Sequence, residues 1–235
     1  MRVAVDGRAF ASPAGGVRRY LRELYAALGA LAPALEVEAI GAPVEEVLPG
    51  TCRARAEWPS PPTNLGRHAV GLPLTLRAGA YDLYHAPAYV APLWGGVPTV
   101  VSVHDISYAS RPEWYPYRRD RLRRWFYRQS VARATRLLVP SSFTASEVMR
   151  VYGVPSSRLR VVPLAAAPAF LRPEPPPPEM RDPVLLHVGD LHARRDVECA
   201  VAVLRGLKGD GATWRLVLIG RDRGCLPGIR AAAIA

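Results

Sequence analysis

Arg194 and Arg195 stand side by side in the run Val-Leu-Leu-His-Val-Gly-Asp-Leu-His-Ala-Arg-Arg-Asp that covers Val184 to Asp196. Two adjacent guanidiniums suit a phosphate or diphosphate, because each offers a planar fork of donors to paired oxygens. Surface arginines paired with nearby carboxylates have the same appearance, and this stretch alone fits either role. His104-Asp105 follows the apolar run Val97–Val103. Histidine is the side chain that exchanges protons near neutral pH, although a His-Asp pair also opens ordinary turns. Gly15-Gly16 stands before a helical pattern. Such a pair lets the backbone come close to a ligand, and it equally serves a plain turn.

The elements around these residues follow from apolar spacing. Val184–Val188 reads as a buried strand, ended by Gly189. Asp196 predicts an N-cap, with Val197, Val201 and Leu204 on one face of the helix behind it. Arg194 and Arg195 then lie just before a helix N-terminus, where free N–H groups and the dipole already favour an anion. At the start of the chain, Val3, Ala4 and Val5 make a strand. The loop Asp6–Gly16 leads to a helix with Val17, Tyr20, Leu21, Leu24, Tyr25 and Leu28 on one face, which Gly29 and Pro33 should end. Leu35–Ile40 is a second strand. This strand–glycine loop–helix–strand order begins a doubly wound α/β sheet, without the GxGxxG dinucleotide fingerprint.

Further along, Thr51–Trp58 is a polar strand and Asn64–Arg77 a helix disturbed by Gly71 and Pro73. Tyr81–His85 and Val97–Val103 are strands. Ligands of open α/β sheets bind outside the carboxyl ends of strands, which favours His104. Tyr117–Leu138 is crowded with arginine, and its pattern turns Leu122, Trp125, Phe126, Gln129 and Ala132 inward. Its basic face is either plainly solvated or, given the Trp and Phe, a contact for anionic lipid. Arg136–Val139 is a strand. Ser142 or Thr144 caps the next helix, Thr144 and Glu147 form a capping box, and Gly153 ends it. Leu159–Val162 is a strand. The proline-rich segment 168–183 marks a boundary between a domain over 1–167 and a piece over 184–235. That piece adds the strand Trp214–Ile219 and a helix beginning at Leu226.

The chain carries a formal net charge of +11, which points to acidic partners such as phosphorylated substrates or anionic lipid. Lys208 is its only lysine. An arginine here therefore stands wherever any cation was needed. No nucleic-acid-binding motif accompanies the charge, so no nucleic-acid partner is expected. Cys52, Cys199 and Cys225 form neither a zinc pattern nor a disulfide framework. A reducing compartment is expected, and with no signal-like or membrane-spanning run the expected location is cytoplasmic, with peripheral contact at the inner membrane face.

Gly15-Gly16-Val17-Arg18-Arg19-Tyr20, Val101–Asp105, Val139-Pro140-Ser141-Ser142-Phe143-Thr144 and Leu186–Val197 occur in that order. This ordered set resembles family 4 glycosyltransferases of the GT-B fold, near the bacterial mannosyltransferase-like members. The resemblance implies a Rossmann-like N-terminal domain for the acceptor and a second Rossmann-like domain for most of a nucleotide-sugar. It implies retaining hexose transfer to a glycan or lipid-linked acceptor, with no metal and no cofactor beyond the nucleotide-sugar co-substrate. Gly15 and Gly16 would approach the donor diphosphate, His104 would face the reacting sugar, and Arg194 and Arg195 would neutralise the leaving group. The family usually has lysine where Arg195 stands. Its E-x7-E motif lies further along a complete second domain, and Asp182–Ala235 is shorter than the roughly 100 residues of such a domain. The sequence therefore predicts an incomplete donor site and poor turnover. A non-catalytic acceptor-binding or membrane-surface module is the alternative, and a basic nucleic-acid-binding protein a more distant one.

Overall fold

The computed structural model describes all residues except 14, 44–45, 47, 116–119, 168–169, 172–182, 208–212 and 235. The chain divides into two units, Met1–Ala167 and Pro168–Ala235. The proline-rich segment predicted as a boundary lies almost wholly outside the described residues.

In the first unit, β1 (Arg2–Asp6) is flanked on both sides, and Val3, Ala4 and Val5 are buried. A 3-10 turn over Gly7–Ala11 follows, then α1 (Gly15–Leu31). β2 (Glu36–Ile40) and β3 (Cys52–Arg55) build outward on one side of β1. The chain then crosses back through α2 (Asn64–Gly66), a π-turn over Arg67–Gly71 and α3 (Leu72–Gly79) to β4 (Leu83–Ala86) on the other side. β5 (Thr99–Ser102), the short α4 (Ser107–Ser110), α5 (Arg121–Arg133), β6 (Arg136–Val139), α6 (Ser142–Tyr152) and β7 (Leu159–Val161) complete the unit. The sheet order is β3-β2-β1-β4-β5-β6-β7, with every pairing parallel. The winding direction reverses between β1 and β4, which is where doubly wound sheets open a crevice at their carboxyl edge. Helices bury both faces, as the continuous apolar strands require.

Four local expectations are corrected. Gly15 and Gly16 belong to the first turn of α1 rather than to the loop before it. Gly29 lies inside α1, where a Cβ would strike Thr51, so glycine there permits close packing instead of ending the helix. Ser141 caps α6, accepting the Thr144 N–H at 3.1 Å, in place of Ser142 or Thr144. In α5 the inward face is Phe126, Ser130 and Val131, while Leu122 and Trp125 are 55% and 47% exposed. Ser130 turns the helix this way: its hydroxyl donates to the Phe126 carbonyl and accepts the Ala91 N–H at 3.0 Å, so the polar residue is satisfied inside.

In the second unit, β8 (Val184–Val188) leads through a 3-10 turn over Ala193–Arg195 to α7 (Val197–Leu207). β9 (Arg215–Ile219) and α8 (Leu226–Ile234) follow. β8 and β9 pair in parallel, with Leu186 opposite Val217 and Val188 opposite Ile219. One sheet face packs on Leu191, Val197, Val201 and Ile229. The other face, made of Leu186, Val188, Val217 and Ile219, is exposed. β8 is therefore covered on one face only, in place of the buried strand expected, and Asp196 corrects a further expectation. It ends the 3-10 turn in the left-handed region (φ 45°), unlike the extended backbone of an ordinary N-cap.

Candidate functional site

β1 and β5 deliver their residues to one edge of the first sheet, because parallel strands all end on the same side. Gly15 and Gly16 lie in the first turn of α1, beyond the carboxyl end of β1. Neither has a positive φ, and a Cβ on either would meet nothing within 4 Å. Glycine there serves neither backbone strain nor packing, and it adds no side chain to the first turn of α1. Arg18, Arg19 and Arg22 follow along the same end, with Arg22 paired to Glu46.

His104 stands two residues past β5. Its Nε2 lies 2.9 Å from the Pro87 carbonyl, which fixes the ring. Tyr20 of α1 meets the ring edge-on at 4.9 Å between centroids, and Tyr89 does so at 6.3 Å. Burial holds the His104 pKa below its ordinary value; the Pro87 carbonyl and Asp105 partly oppose that shift. Tyr89 has φ 59°, an uncommon conformation for an aromatic residue and of the kind that gathers at functional edges. Asp105 accepts from the Ser107 backbone N–H at 2.9 Å, which shapes the turn after His104.

A buried ion cluster at the switch point was not singled out by sequence reasoning. Arg67, 4% exposed, donates from both terminal nitrogens to the two oxygens of Asp6 at 3.0 Å, and from Nε to Glu57 at 2.7 Å. Asp6 ends the central strand β1, and the π-turn that begins at Arg67 presents the guanidinium to it. π-Turns recur at functional sites. The available signal was a carboxylate closing a buried strand. The neighbouring His68 is buried and held near pKa 4 by desolvation and by the Arg67 charge. Its Nδ1 has no hydrogen-bond partner among the described residues. Asp6, Arg8, His68, Val90, Phe126 and Tyr127 are among the residues lining a cavity of about 360 Å³ at this edge. That size and this mixture of charge with aromatic faces fit a small polar ligand such as a sugar.

Arg194 and Arg195 lie in the second unit, in the loop after the carboxyl end of β8. The Arg195 guanidinium folds over Gly189, where a Cβ would come within 2.7 Å of Nη1; Gly189 itself has φ 144°. The Arg194 N–H donates to His192 Nδ1 at 3.2 Å. Burial lowers the His192 pKa, and Arg194, Arg223 and Arg195 lower it further, so cationic charge converges on this loop. Asp190 and Arg223, 2.8 Å apart, tie the loops after β8 and β9 together. Among the described residues no group of three His, Cys, Asp or Glu side chains is placed to hold a metal ion, and no helix is long and apolar enough to cross a membrane.

A family model described as Glycosyltransferase Family 4 matches residues 14–168. No curated protein sequence gives a match. Among solved structures, the chain is similar to that of WaaG, a glycosyltransferase involved in lipopolysaccharide biosynthesis. There the identity is 16% and the TM-score 0.64, over 100% of this chain and 66% of that one. It is also similar to a glycosyltransferase from Rickettsia africae ESF-5, at 15% identity and TM-score 0.53, over 99% of this chain and 63% of that one. The chain thus spans just under two thirds of the length of these structures. The likeness is one of fold: an α/β, mostly parallel architecture of the GT-B type.

Proposed function

The chain belongs to glycosyltransferase family 4, and from that premise we propose that it serves the retaining transfer of a hexose from a nucleotide-sugar to a glycan or lipid-linked acceptor. The observation that carries this reading is the common carboxyl edge shared by the first turn of α1 at Gly15-Gly16, His104, and the cavity beside Asp6. An acceptor sugar fits that cavity, with polar oxygens toward the charged groups and C–H faces on Phe126 and Tyr127. His104 faces the reacting sugar. As the bond from the anomeric carbon to the diphosphate breaks, negative charge grows on the leaving oxygens. Arg194 and Arg195 of the second unit oppose that charge, so the reading assigns the task to protein cations rather than to a resident metal. Titration with UDP and GDP tests it. Arg194→Ala and Arg195→Ala should each weaken nucleotide-diphosphate binding by about 1.5–3 kcal/mol per charged hydrogen bond lost. Unchanged affinity in both would return them to ordinary surface arginines.

One observation favours an added partner. Leu122 and Trp125 are exposed on α5 beside exposed Arg121, Arg124 and Arg128. A basic helix face with an outward Trp and Leu matches an anionic membrane surface, where a lipid-linked acceptor would reside.

A further inference from the structure

We infer that Tyr20 is a binding residue of the same edge, its hydroxyl held by a buried chain of hydrogen bonds as an outward donor to an oxygen of the bound sugar. Four groups make the chain. The Tyr25 hydroxyl lies 2.9 Å from His85 Nδ1; His85 Nε2 lies 2.9 Å from Ser102 Oγ; Ser102 Oγ lies 3.0 Å from the Tyr20 hydroxyl. Tyr25, His85 and Ser102 are buried at 2%, 4% and 2% exposure, while Tyr20 is only partly buried.

The direction follows from counting. A neutral histidine has one N–H, and each hydroxyl has one O–H. Four donors therefore share three bonds, and one donor is left over. Among the described residues none of the four side chains has a further hydrogen-bond partner. If the spare proton sat on Tyr25 or Ser102 it would be buried and unpaired, which costs about 1–3 kcal/mol. If it sits on Tyr20 it belongs to the one member of the chain that is only partly buried and that borders a cleft. Tyr25 then donates to His85 Nδ1, His85 Nε2–H donates to Ser102, and Ser102 donates to Tyr20. Burial keeps His85 neutral, with a pKa held down to about 4. Tyr20 itself lines a narrow cleft of about 10 Å³ with His104, Val139, Pro140 and Leu164, which admits a single oxygen atom and not a sugar ring. Its ring rests against His104, so a sugar over His104 would find a donor with no competing partner beside it. An oxygen acceptor satisfies the hydroxyl; an amine or amide N–H cannot.

The identity of the ligand rests on the sugar-transfer reading; the direction of the chain does not, and two measurements separate them. In the ¹⁵N-labelled protein at neutral pH, ring-nitrogen correlations of His85 should show the proton on Nε2. A proton on Nδ1, or on both nitrogens, reverses or breaks the chain and overturns the inference. In calorimetric titration with UDP-glucose and GDP-mannose, Tyr20→Phe should weaken whichever probe the parent protein binds by about two- to tenfold, the range for one neutral hydrogen bond. Equal affinity in parent and variant overturns the role of Tyr20 while leaving the sugar-transfer reading intact. No binding of either probe by the parent protein overturns the ligand assigned to Tyr20, while the sugar-transfer reading, which already expects an incomplete donor site, stands.

Discussion

Tyr20 and His104 meet edge to face, their ring centroids 4.9 Å apart at an interplanar angle of 86°. The contact joins α1 to the end of β5. It registers the first turn of α1 against the histidine, and a shift of either element would be felt at the other.

Gly15 and Gly16 should separate stability from binding. Both have space for a Cβ and an ordinary backbone, so Gly15→Ala and Gly16→Ala should stabilise the helix by about 0.5–1 kcal/mol each. Both should weaken nucleotide-diphosphate affinity, because the methyl group occupies the space a phosphate would take. Thermal denaturation read beside the UDP and GDP titrations checks this. Higher stability with full affinity would make these glycines ordinary helix residues.

Arg67 should be the most sensitive position in the first unit. Arg67→Met leaves the half-buried Asp6 with only the more distant Arg8, and Glu57 without its guanidinium, a loss of about 1–3 kcal/mol in urea unfolding. Neutralising both partners as well, with Asp6→Asn and Glu57→Gln, should recover part of that loss. If the triple variant is no more stable than the single one, stranded charge is not the cause.

Acid should destabilise the first unit in a defined window. His68 and His85 are both held near pKa 4, against an ordinary value of 6.5. Above 6.5 both are neutral folded or unfolded, and their contribution is fully present. As pH falls from 6.5 toward 4 only the unfolded chain binds these protons, so stability drops, by about 3 kcal/mol per histidine at most. Urea unfolding from pH 7.5 to 4.5 should therefore show proton uptake on unfolding that approaches two from these groups, diminished in His68→Leu.

The outward face of α5 should respond to anionic lipid. Trp125 emission should shift to the blue on adding phosphatidylserine-rich vesicles and not with neutral ones, and salt should reverse the shift. Trp125→Phe identifies the reporter among the five tryptophans. Leu122→Ala should weaken binding with no loss of charge. Equal binding to neutral vesicles would refute an electrostatic contact.

The strands were readable because short apolar runs such as Val3–Val5 and Val184–Val188 favour extended backbone, yet only the first is buried; Leu186 and Val188 stay exposed, so strand type was legible where burial was not. The rotation of α5 was not. Its five expected inward residues followed helical spacing and caught only Phe126, whereas the partners of Ser130 decide the orientation, and Ala91 lies 39 residues away in sequence. The sequence placed the Arg194-Arg195 pair after a strand and before a helix, and the structure agrees. It also set His104 and the glycine pair at strand ends, which the sheet brings to one edge. The Asp6–Arg67–Glu57 cluster stayed hidden because it joins three segments whose meeting depends on the crossover to β4. The Tyr20 hydroxyl was hidden for a related reason: Tyr20 was counted as apolar helix face, and its partner Ser102 is 82 residues away.

The position of β1 also has a consequence while the chain is being synthesised. β1 emerges before β2, which joins one edge, and well before β4, which joins the other, Val5 lying opposite His85. At about 5–20 residues per second, those 80 residues take about 4–16 s to arrive. For that interval a strand with a buried apolar centre, Val3 to Val5, offers an unpaired edge to the ribosome's surroundings. A chaperone that shields nascent chains would find a substrate there, and synonymous codons that slow translation between residues 40 and 83 would lengthen the exposure without altering a single side chain.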